Sequence, residues 1–229
     1  MNRAAILRCL PGPLRRHILF FEAEIERAVA VFARSLDPGS RVLDAGAGEG
    51  RYAGFFPNQR YCGVDLGIGD AAWNYRGLDV VADLAALPFP NGCFDACLNI
   101  VTLEHLPDPG AALVEIARTL KPGGRVLLAV PHEWEVHQAP HDYFRFTRHG
   151  ISHLLERAGF SSVDVEPAGG FFRLLSRRLL NGLQFFPPLL VPVAALFLAP
   201  PALLLPGFDF LDRERNFTLG YLCTAVRRS

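Results

Sequence analysis

The chain has 229 residues, half of them hydrophobic, with 23 basic and 23 acidic side chains and a formal charge of zero. One substantial core fits that length, and with no basic excess, nucleic acid is not expected as a partner; small-molecule or lipid chemistry is favoured. Five scattered cysteines, Cys9, Cys62, Cys93, Cys97 and Cys223, without CxxC spacing, read as packed, reduced thiols in a cytosolic setting. Pro11, Gly12, Pro13, Arg15 and Arg16 cut short any signal-peptide core.

Leu14 to Leu36 carries Ile18, Phe21, Ile25, Val29 and Phe32 at spacings of three and four, and Asp37-Pro38-Gly39 ends the pattern. This predicts one amphipathic helix that packs across a sheet edge or lids a ligand site. Next comes RVLDAGAGEGRY, Arg41 to Tyr52, a short apolar run that ends in Asp44 and then in Gly46, Gly48 and Gly50. It predicts a buried strand followed by a turn on which a ligand sits, with a helix from Glu49 whose first amides point at that ligand.

Tyr61 to Leu66 is a second short strand ending in an acid, Asp65, and Leu78 to Val81 a third, followed by Asp83. Ligands of open parallel sheets sit beyond the carboxyl ends of the strands, so Asp44, Asp65 and Asp83 should share one rim. An acid about 20 residues beyond the first glycine is placed to hold ribose hydroxyls.

Phe94 to Val101 is almost uniformly apolar, as a strand buried on both faces is. Ala111 to Leu120 reads as a helix closed by Lys121-Pro122-Gly123-Gly124, and Arg125 to Val130 as a fifth strand, so strand and helix alternate as in a doubly wound α/β sheet. Pro131 to Thr147, PHEWEVHQAPHDYFRFT, then puts three histidines and four aromatics into one long strand-to-helix loop, which marks it as functional. Thr147 can cap a helix to Ala158, Ser161 to Glu166 alternates as a strand, Leu179 to Phe208 holds no charged residue, and Phe217 to Val226 resumes as a strand.

These stretches resemble the class I methyltransferases that use S-adenosylmethionine (SAM), within the small-molecule branch called type 11. VLDAGAGEGRY is similar to the glycine motif of that family, GVDL to its ribose acid, DLAALPFPNGCFDACLNIVTLEHLPDP to its adenine loop and fourth strand, and LKPGGRVLLAVP to the turn and strand that follow. The resemblance covers Ser40 to Gly159 and the last strand. It implies a Rossmann-like sheet of seven strands, mostly parallel, with the last antiparallel and inserted between the fifth and sixth. Residues 1–39 would form a helical segment and 40–229 the SAM-binding domain, with 171–215 as a hydrophobic insertion.

By the same resemblance Gly46, Ala47 and Gly48 approach the methionine part of SAM, Asp44 lies near its amino group, and Asp65 takes both ribose hydroxyls with Leu66 beside it. Asp83 takes the adenine amino group with Leu84 alongside, and Asn99 offers its backbone carbonyl to the ammonium. Asp44 and Asp83 also fit turn or helix-cap roles. A nicotinamide-dependent oxidoreductase is the rival reading of a glycine turn and distal acid, but Arg51 stands where GxGxxG needs its third glycine.

Methyl transfer is an in-line displacement that alignment and exclusion of water can drive, with no catalytic side chain strictly required. Where an acceptor must lose a proton, His105, His132 and His141 are the candidates, with His137, Asp142 and Tyr143 beside them. His137, His141 and Asp142 fit no firm metal-ligand spacing, so no metal is expected.

In the uncharged run, Pro187, Pro188, Pro192, Pro200, Pro201 and Pro206 are expected to leave only short pieces, with no straight helix of about 20 residues. If the strands before and after it share one sheet, a single membrane crossing is excluded. A re-entrant or interfacial hairpin on the inner face of a membrane is the favoured reading, anchored by Arg173, Arg177 and Arg178 before it and by Asp212 to Arg215 after it. A cap over the active site or a dimer contact is the alternative. Two functions are therefore weighed: an enzyme methylating a small or lipid-linked acceptor, and a non-catalytic SAM-like module serving assembly.

Overall fold

The computed structural model describes residues 12–69 and 72–229, and Cys9 and the residues before Pro11 lie outside them. Two compact units are seen: residues 25–166 with 220–229, and, among described residues, 12–24 with 167–219. The expected segment 1–39 is divided between them.

The larger unit is built on one seven-stranded sheet in the order β3-β2-β1-β4-β5-β7-β6. Its strands are β1 (Arg41–Ala45), β2 (Arg60–Asp65), β3 (Val80–Val81), β4 (Phe94–Ile100), β5 (Leu120–Pro131), β6 (Phe160–Pro167) and β7 (Gly220–Arg227). The first five pair in parallel, and β7 runs antiparallel to β5 with Leu128 opposite Cys223. The last strand therefore inserts next to the fifth, as the resemblance implies.

Burial follows position in the sheet. Central β4 is buried along almost its whole length, whereas edge strand β6 alternates buried or half-buried with exposed residues, the signature of one wet face. The core gathers Leu43, Val64, Phe94, Cys97, Leu113, Ile116, Leu128, Ile151, Leu155 and Phe160. The helices that cover it are α3 (Pro109–Thr119) and α4 (Arg148–Arg157), where Asp108 accepts from the Ala111 amide at 2.9 Å and Thr147 from Gly150 at 3.0 Å, each satisfying an orphan N–H of a first turn.

Four expectations are corrected. The region 14–36 is two helices, α1 (Gly12–Ile18) and α2 (Phe20–Arg34), broken at Leu19. The part of α2 from Ile25 onward lies along the sheet rather than over the rim: Arg125 of β5 donates to the Ser35 carbonyl at 2.8 Å and stacks over Phe32. No α-helix follows the glycine turn, only a 3₁₀ turn at Ala53–Phe55, because Gly50 sits in the left-handed region at φ 73° and Pro57 bars continuation. Lys121 to Gly124 lies within β5, at a register shift opposite Phe94 and Ala96.

The smaller unit holds α5 (Phe171–Gly182), α6 (Val191–Leu204) and a 3₁₀ continuation to Leu211. Asp209 accepts from the Gly170 and Arg173 amides at 3.0 and 2.9 Å, and Asp212 from Phe171 at 2.7 Å, so two carboxylates satisfy the start of α5. Arg173 meets Asp209 at 3.4 Å and stacks over Phe20, while buried Ser176 donates to the Ala202 carbonyl at 2.5 Å.

Pro187 and Pro188 fall in the break before Val191 and divide the run as expected, whereas Pro192, Pro200 and Pro201 do not. Pro200 and Pro201 lie inside α6, where their missing N–H groups would have served the carbonyls of Leu196 and Phe197, residues about 70% exposed, so the lost bonds fall on the open side. Val191–Leu211 is consequently one apolar helical run of 21 residues with mean hydropathy 1.9, long and apolar enough to cross a membrane. Phe185, Leu189, Leu196, Phe197 and Leu204 are each about 70% exposed or more.

Candidate cofactor and acceptor site

The carboxyl ends of β1 and β2 bring Asp44 and Asp65 to one rim. Asp44 is 1% exposed. Its Oδ2 accepts the Tyr61 phenol at 2.5 Å, and its Oδ1 has no hydrogen-bond partner among the described residues. Burial pushes this carboxyl up to about 7; the Tyr61 bond works against the rise and the charge of Asp65 adds to it.

Asp65 holds the glycine turn: Oδ2 accepts from the Gly48 amide at 3.0 Å and Oδ1 from Gly67 at 2.8 Å. Gly46 has φ 91°, and a Cβ there would lie 2.3 Å from Thr102 Cγ2; Gly48 has φ 54° and packs close to the Trp73 ring. Only glycine suits both positions.

Four of the turn's amides are already used. Gly46 and Ala47 donate to the Val64 carbonyl, Gly50 to Ala47, and Gly48 to Asp65. The expected helix from Glu49 is absent, and with these four amides occupied the turn presents chiefly carboxylate and carbonyl oxygens. A pyrophosphate needs donors and would find like charge here. A ligand bearing an ammonium and hydroxyl groups finds acceptors, so the residues fit SAM and disfavour a dinucleotide. Arg51, at the missing-glycine position, instead pairs with Glu26 at 2.6 Å.

Asp83 is exposed beyond β3 and accepts from the Ala85 amide at 2.9 Å, the turn role noted for it, while the Leu84 side chain is buried in the core. Leu66 is 44% exposed beside Asp65. Asn99 is fully buried, donating from Nδ2 to the Ala45 carbonyl at 2.7 Å, with Oδ1 unpartnered.

The loop after β5 is folded by its own polar groups. Arg145 forms two bonds to Asp142, at 2.6 and 2.8 Å, and donates to the carbonyls of Trp134 and Glu135. Hydrogen bonds from Arg145 hold the Asp142 carboxyl near 2, below the usual carboxylate range. Tyr143 and Phe144 donate their amides to the Glu104 carbonyl, fastening the loop to the turn after β4.

The histidines divide. His132 bonds through Nδ1 to the Phe146 carbonyl at 2.8 Å and rests against Tyr221. His141 meets the Tyr143 hydroxyl through Nδ1 at 3.2 Å, and its carbonyl accepts from His105 Nδ1 at 2.5 Å. His105 and His137 come together, with ring centroids 4.6 Å apart, against the buried Glu104.

Residues 43–128 match the family described as a methyltransferase domain, type 11. Over that stretch the chain is similar to SAM-dependent methyltransferases.

It is 38% identical over 107 residues to the tRNA (carboxymethyluridine(34)-5-O)-methyltransferase of Arabidopsis thaliana, a match covering 44% of this chain and 26% of the relative. An uncharacterised 37.1 kDa protein in transposon TN4556 of Streptomyces fradiae is 27% identical over 209 residues, 86% of this chain and 58% of that one. The chain thus spans from a quarter to somewhat over half the length of these two relatives. Among solved structures, the Haemonchus contortus phosphoethanolamine N-methyltransferase 2 in complex with SAM aligns with TM-score 0.57 at 20% identity, covering 90% of this chain and 53% of that one, a likeness of fold.

Around the rim, four contributors carried no signal of their own in the sequence: Tyr61, Trp73, Glu104 and Arg145. Tyr61 and Trp73 reach Asp44 and Gly48 through the sheet and the turn, Glu104 meets the distant His137, and Arg145 joins Asp142 to Trp134 and Glu135 through the path of the loop.

Proposed function

We propose that this chain transfers the methyl group of SAM to a small or lipid-linked acceptor, at the inner, cytoplasmic face of a membrane. The observation that carries the methyl-donor part is the oxygen-lined cradle. Asp44 with its unpartnered Oδ1, Asp65 at the glycine turn and the buried Asn99 suit an ammonium and ribose hydroxyls. SAM would supply an electrophilic methyl group on a sulfonium. The chain's part is to hold the donor at the rim, exclude water beneath the loop 131–147, and align the acceptor. His141, beside Tyr143, would take a proton from an acceptor that must lose one.

The acceptor class is argued from the apolar unit. Its exposed stripe lacks charge from Leu179 to Phe208, and apolar patches of this kind mark interaction or membrane surfaces. Its flanking strands β6 and β7 are neighbours in one sheet, so the run must return to the side it leaves from, which suits an interfacial hairpin. The name of the Arabidopsis relative points to a transfer RNA acceptor, but the zero net charge of this chain gives no electrostatic support to that alternative.

Titration calorimetry with SAM tests the donor site: binding is expected, with loss in Asp65→Ala, and no binding in the intact chain sinks the enzyme reading. Release of S-adenosylhomocysteine with lipid-linked, small-molecule and transfer RNA acceptors sorts the acceptor. Liposome flotation tests the surface, and a protein that never co-floats ends the membrane reading.

A further inference from the structure

Glu104, His105 and His137 form a cluster whose geometry has no explanation in methyl transfer alone. Glu104 is fully buried, and neither of its carboxylate oxygens has a hydrogen-bond partner among the described residues. The Nε2 atoms of His105 and His137 are likewise buried and unpartnered. All three groups converge: Glu104 Oε1 lies 3.8 Å from His105 Nε2 and 3.6 Å from His137 Nε2, with the ligand atoms within 4.8 Å of one another.

The other ring nitrogens fix what those Nε2 atoms are. His105 Nδ1 faces the His141 carbonyl at 2.5 Å, which can only accept, so Nδ1 carries the proton. His137 Nδ1 faces the Glu135 carbonyl at 3.2 Å and the Asp142 carboxylate at 3.5 Å, again acceptors only. In the neutral rings both Nε2 atoms are therefore lone pairs directed at a carboxylate. Three electron-pair donors with nothing positive between them repel, and 3.6 to 3.8 Å is too long for a good hydrogen bond should either ring be protonated.

We infer that Glu104, His105 and His137 bind one divalent transition-metal ion of the zinc class. Two imidazoles and one carboxylate are the donor set of such ions and are poorly suited to magnesium or calcium, which prefer oxygen. Tetrahedral ligands at about 2.1 Å stand about 3.4 Å apart, so the two separations from Glu104 need only a slight contraction, while the two histidine nitrogens, within 4.8 Å, would close by up to about 1.4 Å through ring rotation. The outer partners also match: metal-bound histidines donate their second N–H to a carbonyl or carboxylate. Here those partners are set by the fold, His141 and Glu135 belonging to the loop that Arg145 ties to Asp142.

Three protein ligands leave a position open. The ligand atoms themselves are buried, and the nearest exposed surface is on the His105 and His137 rings, which retain 12% and 23% side-chain exposure while Glu104 has none. If the proposed methyl-transfer reading holds, that position would receive the acceptor oxygen, nitrogen or sulfur and ease its deprotonation. The binding site itself does not depend on that reading.

The test uses the full chain, stripped with chelator and titrated with cobalt(II), followed by zinc competition. One equivalent of cobalt with visible ligand-field bands is expected, displaced by zinc. Binding should weaken at least tenfold in both Glu104→Gln and His137→Gln and stay unchanged in His153→Gln, an exposed histidine on α4. Where Glu104→Gln fails to fold, His137→Gln decides alone, since that ring is partly exposed. SAM binding measured on the same samples separates this outcome from that of the methyl-donor site. Absence of stoichiometric binding in the intact chain, or equal binding in the ligand variants, overturns the inference.

Discussion

The Tyr61 phenol donates a 2.5 Å hydrogen bond to Asp44, a carboxyl that burial pushes up to about 7. Folding therefore makes this group bind its proton more tightly than the unfolded chain does. Between about pH 4 and 7 the native state carries the extra proton, so stability falls as pH rises through that window. Each tenfold change in proton affinity is worth about 1.4 kcal/mol. We expect urea denaturation of the ligand-free protein to give lower stability at pH 8 than at pH 5. Asp44→Asn should flatten that component of the slope.

The same residue makes a prediction about the cofactor. An ammonium beside Asp44 favours the charged carboxylate, so SAM binding near pH 6.5 should release protons. Calorimetric enthalpies should then vary with the ionisation enthalpy of the buffer, and the variation should shrink in Asp44→Asn. Identical enthalpies in all buffers would place the ammonium elsewhere.

Gly46→Ala should be costly for two independent reasons, the positive φ and the clash with Thr102. A loss of about 1–3 kcal/mol is expected from strain of this kind. Gly48→Ala, with its contact limited to the edge of Trp73, should cost less, about 1 kcal/mol, yet still weaken SAM binding. Thermal melts paired with ligand titration separate the two effects.

Arg145→Ala should loosen the loop 131–147 without unfolding the sheet, because its partners Asp142, Trp134 and Glu135 all lie in that loop. Charge-assisted bonds of this type are worth about 1.5–3 kcal/mol in total effect. Hydrogen exchange should rise in residues 134–143 and not in β4. Arg145→Lys, which keeps charge but loses the two-pronged geometry, should be only partly better.

Leu196→Asn with Phe197→Asn should leave the melting temperature nearly unchanged, since both side chains are about 70% exposed. Liposome co-flotation should drop if these residues meet lipid. Asp209→Asn should do the reverse, weakening the start of α5 by about 1 kcal/mol while leaving the apolar stripe in place.

The sheet was legible because its strands end in acids and its turns in glycine or proline, local signals that survive without tertiary knowledge. Asp44 and Asp65 could be placed at one rim from strand order alone. The loss of the helix after Gly50 was not legible, since permissive glycines read equally well as a turn or a helix start. Pro200 and Pro201 misled for a related reason: proline reports a missing donor, but not whether the orphaned carbonyl faces open surface. Glu104 was hidden because its meaning depends on His137, 33 positions away along the chain, and on Arg145 folding the loop between β5 and α4.

β7 is last among the elements yet lies inside the sheet, between β5 and β6. During synthesis the sheet stays open at that slot until residues 220–227 have left the ribosome. The apolar unit, residues 167–219, is made before that strand. Completion of the sheet therefore depends on a strand synthesised after the apolar unit.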